Sequence, residues 1–344
     1  MSTTPRPLRR LGFLTLGLFD PDDPAGGHES TLQLVELGER LGLDSAWFRH
    51  RHLQHGISSP VAVMAAATQR TSRIELGTAV TPLGWENPLR LAEDLATVDV
   101  LSGGRVNPGV SVGPPMHWDD VKDHLYPDTA DVEDLGYARA SRLADLVAGG
   151  TASRFTGTQG IETFVDRVEP HSPGLRDRLW YGAGSLRSAA WAGENRFNLL
   201  TSSVVMAEES EDFETVQAAQ VDAFRARHPL GEQARVSQGL VVIPTDSATP
   251  DQRARYVEYA ASRLERTRTP QGPRRMLFAP DLVGPSDELA DRLRAHAGFQ
   301  RVDEVAFALP FTFGHDDYVQ ILTDLATHLG PALGWTNAFD RRGA

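Results

Sequence analysis

RIELGTAVTPLGWENPLRLAEDLATVDVLSGGRVNPGVSVG, Arg73 to Gly113, reads as strand, loop, helix and strand. Ile74, Leu76, Thr78 and Val80 begin a β-branched apolar run that Thr81-Pro82 closes. Asn87-Pro88 opens a helix, because Asn is a good N-cap and Pro fits the first helical turn. Leu89, Leu91, Ala92, Leu95, Ala96, Val98 and Leu101 then recur at a spacing that buries one face. Ser102-Gly103-Gly104 ends the helix, since glycine reaches the left-handed C-cap conformation cheaply. The chain re-enters a strand at Arg105 to Val112. Two strands joined by a packed helix make a βαβ unit, and so a parallel sheet.

The same alternation runs outward from this unit in both directions. Before it come a strand at Leu11 to Phe19, a turn-rich loop at Asp20 to Gly27 and a helix from Ser30 to Leu41. A second strand at Asp44 to Phe48, a histidine-rich loop and the helix Pro60 to Arg70 follow. After it, a long polar loop from Pro114 to Asp131 precedes a helix over Val132 to Ala148. Gly149 to Asp177 reads as an inserted hairpin. Leu179 to Ala183, Phe197 to Ser202, Val236 to Ile243 and Val302 to Leu309 read as strands five to eight. Their helices start near Ser185, Ser210, Pro250 and His315, with one more at Ser286 to His296 beyond a proline-rich excursion at Thr267 to Gly284. The expected architecture is an α/β (β/α)8 TIM barrel, one domain over 1–344, with insertions after strands four and seven and before strand five.

Composition narrows the function classes. Hydrophobic content of 40% and charged content of 23% suit a globular protein. No run of about 18 apolar residues predicts a membrane span, and MSTTPRPLRR does not read as a signal peptide, so a cytoplasmic location is expected. The absence of cysteine removes disulfides, thiolate metal sites and cysteine nucleophiles. A formal charge of −12 argues against nucleic acid or an anionic membrane as partner.

Several spaced motifs carry a family resemblance: Leu76-Gly77-Thr78-Ala79-Val80, the Pro88-led helix with Ala92-Glu93 and Asp99, and Leu101-Ser102-Gly103-Gly104-Arg105 with Gly109 and Gly113. Leu43-Asp44-Ser45-Ala46-Trp47, Asp281 to Leu289 and Val302-Asp303-Glu304-Val305 extend it over roughly Leu11 to Trp335. Together they resemble the bacterial-luciferase-like flavin-dependent monooxygenases. The resemblance implies reduced FMN supplied by a separate flavin reductase, O2, a small-molecule substrate and a homodimer. A deazaflavin (F420)-dependent dehydrogenase or reductase is the alternative on the same barrel, and a non-catalytic partner subunit a third possibility.

In a barrel of this kind the site lies at the C-terminal ends of the strands. Gly182-Ala183-Gly184-Ser185 ends strand five and opens a helix, where bare N–H groups favour an anion. Gly184, Ser185 and Ser188, with Arg187, are the expected phosphate site; the same residues also read as plain N-capping by Ser185. The resemblance places a catalytic histidine at His50, a non-proline cis peptide under the flavin ring at Ala79-Val80, following Thr78, and a small residue facing the flavin at Ser111, near Gly113. Arg49 and Arg51 stand where the family has Glu and His, and Val112 where the luciferase catalytic subunit has a phosphate-binding arginine. His50 and His52 also form a His-x-His pair, the start of a metal-dependent hydrolase site, but no further ligands end the later strands, so no metal is assigned. A basic patch for the acidic F420 tail would draw on Arg176, Arg178 and Arg187.

Overall fold

A computed structural model describes residues 7–342. Eight short strands carry the sheet: β1 Arg10–Thr15, β2 Ser45–Phe48, β3 Glu75–Thr78, β4 (Val106–Asn107 and Gly109–Ser111, interrupted by Pro108), β5 Trp180–Gly182, β6 Asn198–Thr201, β7 Val236–Gln238 and β8 Glu304–Ala308. Each pairs in parallel with the next in sequence, and β8 returns to β1 with Arg10 opposite Glu304. The result is an α/β fold on a curled parallel sheet. Its helices are α1 Pro24–Arg40, α2 Pro60–Thr68, α3 Pro88–Ser102, α4 Trp118–Leu125, α5 Tyr137–Val147, α6 Leu186–Glu194, α7 Phe213–Arg227, α8 Pro250–Arg263, α9 Ser286–Ala295 and α10 His315–Asp324.

The deciding stretch folds as its residues dictate. The Asn87 side chain accepts from the N–H groups of Leu89 and Arg90, Pro88 takes the first turn, and Gly103 closes α3 at φ 71°. Asp99, fully buried on α3, accepts two hydrogen bonds from Arg178 and one from Val106 N–H, locking the helix to β4 and to the segment before β5. Inside the sheet, Trp47 and Trp180 meet edge to face with centroids 5.3 Å apart. Leu200, Ala306, Leu14, Ala79 and Val80 pack around them and fill the interior. Gly77 is obligatory here, because a Cβ would lie 2.4 Å from the Trp47 indole.

Several boundaries differ from expectation. Strand one stops at Thr15, since Gly17 takes a left-handed φ of 55°. The first helix starts at Pro24 rather than Ser30: Asp23 caps it through Gly26 N–H, and a Cβ at Gly27 would lie 2.2 Å from Phe19. The two glycines that read as loop are there for close approach. The polar stretch after β4 contains α4, and the next helix begins at Tyr137 because Asp134 turns the chain at Gly136. The predicted seventh strand is two pieces; Val242–Pro244 leaves the main sheet to pair with Leu282–Gly284. A hairpin, Gly157–Gln159 with Glu162–Phe164, lies before β5, and within the excursion before α9 Met276–Phe278 pairs with Val204–Met206.

Candidate active site

Beyond Phe48 the chain turns sharply, and Arg51 N–H donates back to Ile57 O to close a small loop. His50 lies inside it, 2% exposed, not on the surface as a loop histidine would be expected. Among the described residues neither of its ring nitrogens makes a well-formed hydrogen bond. Burial first, and the adjacent His52 second, push its pKa down to about 3, against a weaker pull from the Ser58 backbone, so the ring is neutral at pH 7. The His52 ring lies 4.5 Å from that of His50 and stacks on Trp85 at 4.1 Å. Burial lowers its pKa as well.

A residue that no sequence motif pointed to completes this group. Glu86 follows the short 3-10 turn Leu83–Trp85 and precedes the Asn87 cap. Its carboxylate lies 4.0 Å from His50 Nε2. Burial, then the nearby Asp94, push it up to about 7. The turn is held from behind: Arg139, buried on α5 and paired with Glu133 at 2.5 Å, donates to Glu86 O at 2.7 Å. Arg139 also donates to the Tyr126 hydroxyl, which in turn donates to Gly84 O. His50, His52 and Glu86 bring ligand atoms within 4.8 Å of one another, a donor set of the right type for a divalent cation. Arg49 and Arg51 flank it, and their charge opposes a cation there.

A cavity of about 260 Å³ opens beside this group. Arg51, His52, Trp85, Ser111, Gly113, the run Pro114 to His117 and Val121 of α4 line it. The first part of the long polar stretch after β4 is therefore a wall of the cavity. Ala79 and Val80, packed against Trp47 and Trp180, are joined by a cis peptide bond at the position the resemblance indicated. Val80 packs where β5 passes: a Cβ on Gly182 would lie 2.8 Å from it. Thr78 is fully buried, and its hydroxyl bridges to β4, donating to Gly109 O at 2.7 Å and accepting from Gly109 N–H at 3.0 Å. That hydroxyl joins two strands.

At the turn after β5, Ser185 and Ser188 are held in a reciprocal capping box, each hydroxyl accepting from the other's backbone N–H at 3.1 Å. Leu186 N–H, the donor left over, holds the exposed Glu208 carboxylate at 2.6 Å. An anion already sits on this helix end, as its positive partial charge favours. A Cβ on Gly184 would meet open space, and Arg187, exposed, lies over the Tyr137 ring. The turn thus fits a phosphate once Glu208 yields its place. The other arginines of the expected basic patch are engaged elsewhere. Arg178 is bound to Asp99, and Arg176 donates to the carbonyls of Asn195 and Arg196.

The family profile described as luciferase-like monooxygenase matches residues 10–301. The chain belongs to the luciferase-like monooxygenase family. Among its curated relatives, limonene 1,2-monooxygenase of Rhodococcus erythropolis is 41% identical over 41% of this chain and 36% of its own. An F420-dependent glucose-6-phosphate dehydrogenase of Amycolatopsis mediterranei is 33% identical over 30% of this chain and 32% of its own. The alkanal monooxygenase alpha chain of Photobacterium phosphoreum is 32% identical over 28% and 29%. These matches span only about a third of each relative's length. Solved luciferase-like structures share the fold over nearly the whole chain. Apo-MsnO8 has a TM-score of 0.68 at 20% identity, covering 96% of this chain and 98% of its own. The oxygenating constituent of 3,6-diketocamphane monooxygenase from Pseudomonas putida has 0.66 at 13%, covering 94% and 98%. Both monooxygenases and F420-dependent enzymes therefore stand among this family member's relatives. Among the described residues no helix is long and apolar enough to cross a membrane.

Proposed function

We propose that this chain is a monooxygenase that uses reduced FMN and O2 on a small organic substrate, as a homodimer supplied by a separate reductase. We read the fold as one (β/α)8 barrel with insertions after strands four and seven and before strand five. The observation that carries the reading is the cavity at the strand ends, bordered by Ser111 and Gly113 and set beside a buried, neutral imidazole whose nitrogens make no well-formed hydrogen bond among the described residues. Leu186 N–H, Ser185, Ser188 and Arg187 would hold the phosphate, with Gly184 leaving room for it. Ala79, Val80, Ser111 and Gly113 would border the ring. Bound FMN would supply the electrons that activate oxygen.

The chain's own contribution is proton handling and exclusion of water. His50, kept neutral, offers one N–H and one lone pair. Glu86, near half-protonated at neutral pH, stands 4.0 Å away and can hydrogen-bond the imidazole after a small movement, donating to its lone pair or accepting from its N–H. The engagement of Arg176 and Arg178 within the fold supports FMN over F420, because an acidic tail would find only Arg187 free in that patch. Titrating the purified chain with FMN and with F420, oxidised and reduced, at low and high salt, tests the reading. FMN binding is expected, with 18O from 18O2 entering product in the coupled reaction. Micromolar F420 binding that weakens with salt, alongside no FMN binding, would overturn it.

A further inference from the structure

Two half-buried guanidiniums at the end of β2 lack a counter-charge. Arg51 walls the cavity, and its Nε is buried with no hydrogen-bond partner. Arg49, two residues earlier, makes one long contact of 3.4 Å with Gln54 and lies 5.3 Å over the Phe311 ring. Among the described residues neither guanidinium pairs with a carboxylate. Burial weakens the charged form of both, and for Arg49 the proximity of Arg51 adds to it. Leaving a cation partly desolvated and unpaired is costly, and folds usually avoid it. Here it is done twice in three residues, in a chain with a formal charge of −12 and carboxylates to spare. No Asp or Glu lines the cavity, while Trp85, Pro82, Pro115 and Met116 give it an apolar wall.

We propose that the substrate is a small organic acid, whose anionic group seats on the Arg51 guanidinium while its apolar body packs against Trp85, Pro115 and Met116. A planar fork of donors suits a carboxylate or sulfonate, and Arg51 presents it at the cavity wall. The cavity, at about 260 Å³, lies at the small end of ligand sites, so the acid is compact. Arg49, directed to Phe311, raises the positive potential that draws the anion in. This rests on the cavity being the substrate's place in the proposed monooxygenase. It does not depend on which flavin is used.

The test is calorimetric titration of the full chain without flavin, using two acids and their neutral isosteres: benzoate against benzamide, and hexanoate against hexanamide. The acids are expected to bind at least about tenfold more tightly than the amides at low salt, as a charge-assisted bidentate contact requires. The preference should shrink with added salt. Arg51→Gln should abolish it, and Arg51→Lys should restore part of it. Equal binding of acid and amide, no binding of either acid, or a preference that survives Arg51→Gln would each overturn the proposal. Repeating the titration with saturating FMN separates the two possible sources of the anion. Acid binding that persists assigns Arg51 to the substrate. Competitive displacement by FMN assigns it to the cofactor and overturns the proposal. Failure of FMN to bind, with acid binding intact, would count against the monooxygenase reading alone.

Discussion

The two ends of the sheet bury similar side chains and treat them in opposite ways. At the N-terminal ends of the strands, Arg10 contacts Glu75 at 2.6 Å, and Arg235 reaches Glu75 at 3.1 Å and Glu304 at 2.9 and 3.0 Å. Asn107 donates to Glu75 and accepts from Trp180, and Arg235 lies over the Trp180 ring. Burial works against the charge on Glu75, but Arg10 and Arg235 outweigh it and hold its pKa below the ordinary value. At the C-terminal ends, Arg49, Arg51, His50, His52 and Glu86 are partly or wholly removed from water; among the described residues neither arginine has a carboxylate partner, and Glu86 comes no nearer His50 than 4.0 Å. A closed network contributes to the fold. An open one is stabilised only when something else arrives, and the cluster of unpartnered groups at His50, Arg51 and His52 beside the cavity marks the site better than burial or charge alone.

The largest effect should come from opening the closed network. Arg235→Met leaves Glu304 fully buried beside one remaining arginine, and should cost about 3–5 kcal/mol in denaturant unfolding. Arg51→Gln, at the open end, should cost nothing or stabilise slightly. Equal losses for the two would erase the contrast between the ends.

His50→Ala comes next. If the neutral imidazole handles a proton, turnover should fall by about 10²-fold. Because the ring is buried, unfolding must be followed in parallel, and a rate that tracks the lost stability would make His50 a packing residue.

Glu86 gives a pH signature. Burial raises its pKa from 4.5 to about 7, so across that interval the folded chain keeps a proton that the unfolded chain has released. The stability tied to this carboxyl is therefore complete below about pH 4.5 and is lost as the pH climbs to about 7. Relative to Glu86→Gln, the wild type should lose about 1–3 kcal/mol over that interval. The opposing slope from His50 is common to both proteins and cancels in the difference. Parallel pH profiles would mean that Glu86 is solvated.

The smallest effect is expected at the turn after β5. Glu208→Ala removes both the charge and the acceptor and so frees Leu186 N–H; it should bind FMN about two- to fivefold more tightly, the scale of a single charge at a helix end. Weaker binding would make Glu208 a ligand rather than a competitor.

Much of this was legible in the sequence, and the exceptions share a cause. The caps of α3 at Asn87, Pro88 and Gly103 act within a few residues of themselves, and so do the turn at Ser185 and the left-handed glycines. Glu86 reaches His50 across 36 positions in a stretch with no periodicity, and Glu208 reaches Leu186 across 22. Such pairings depend on where the sheet brings distant loops, which no local spacing reveals. The burial of His50 was hidden for the same reason, because the loop around it reads as polar. Gly26-Gly27 misled in the other direction: close approach to the Asp23 cap at Gly26 and to Phe19 at Gly27 looks in sequence like a break in the helix.

The pairing of β8 with β1 sets an order in time. Strand β1 has β2 available on one side early, but its other edge must wait for Glu304–Ala308, some 290 residues later in synthesis. Asp44 is in the same position: it holds Leu11 N–H from the start, but its other partners, Trp335 and Arg341, come near the end of the chain. Closing so long a loop carries a large entropic cost before any contact is made. Until the ring shuts, the first strand presents an unpaired edge, and the nascent chain is most prone to join another at that edge.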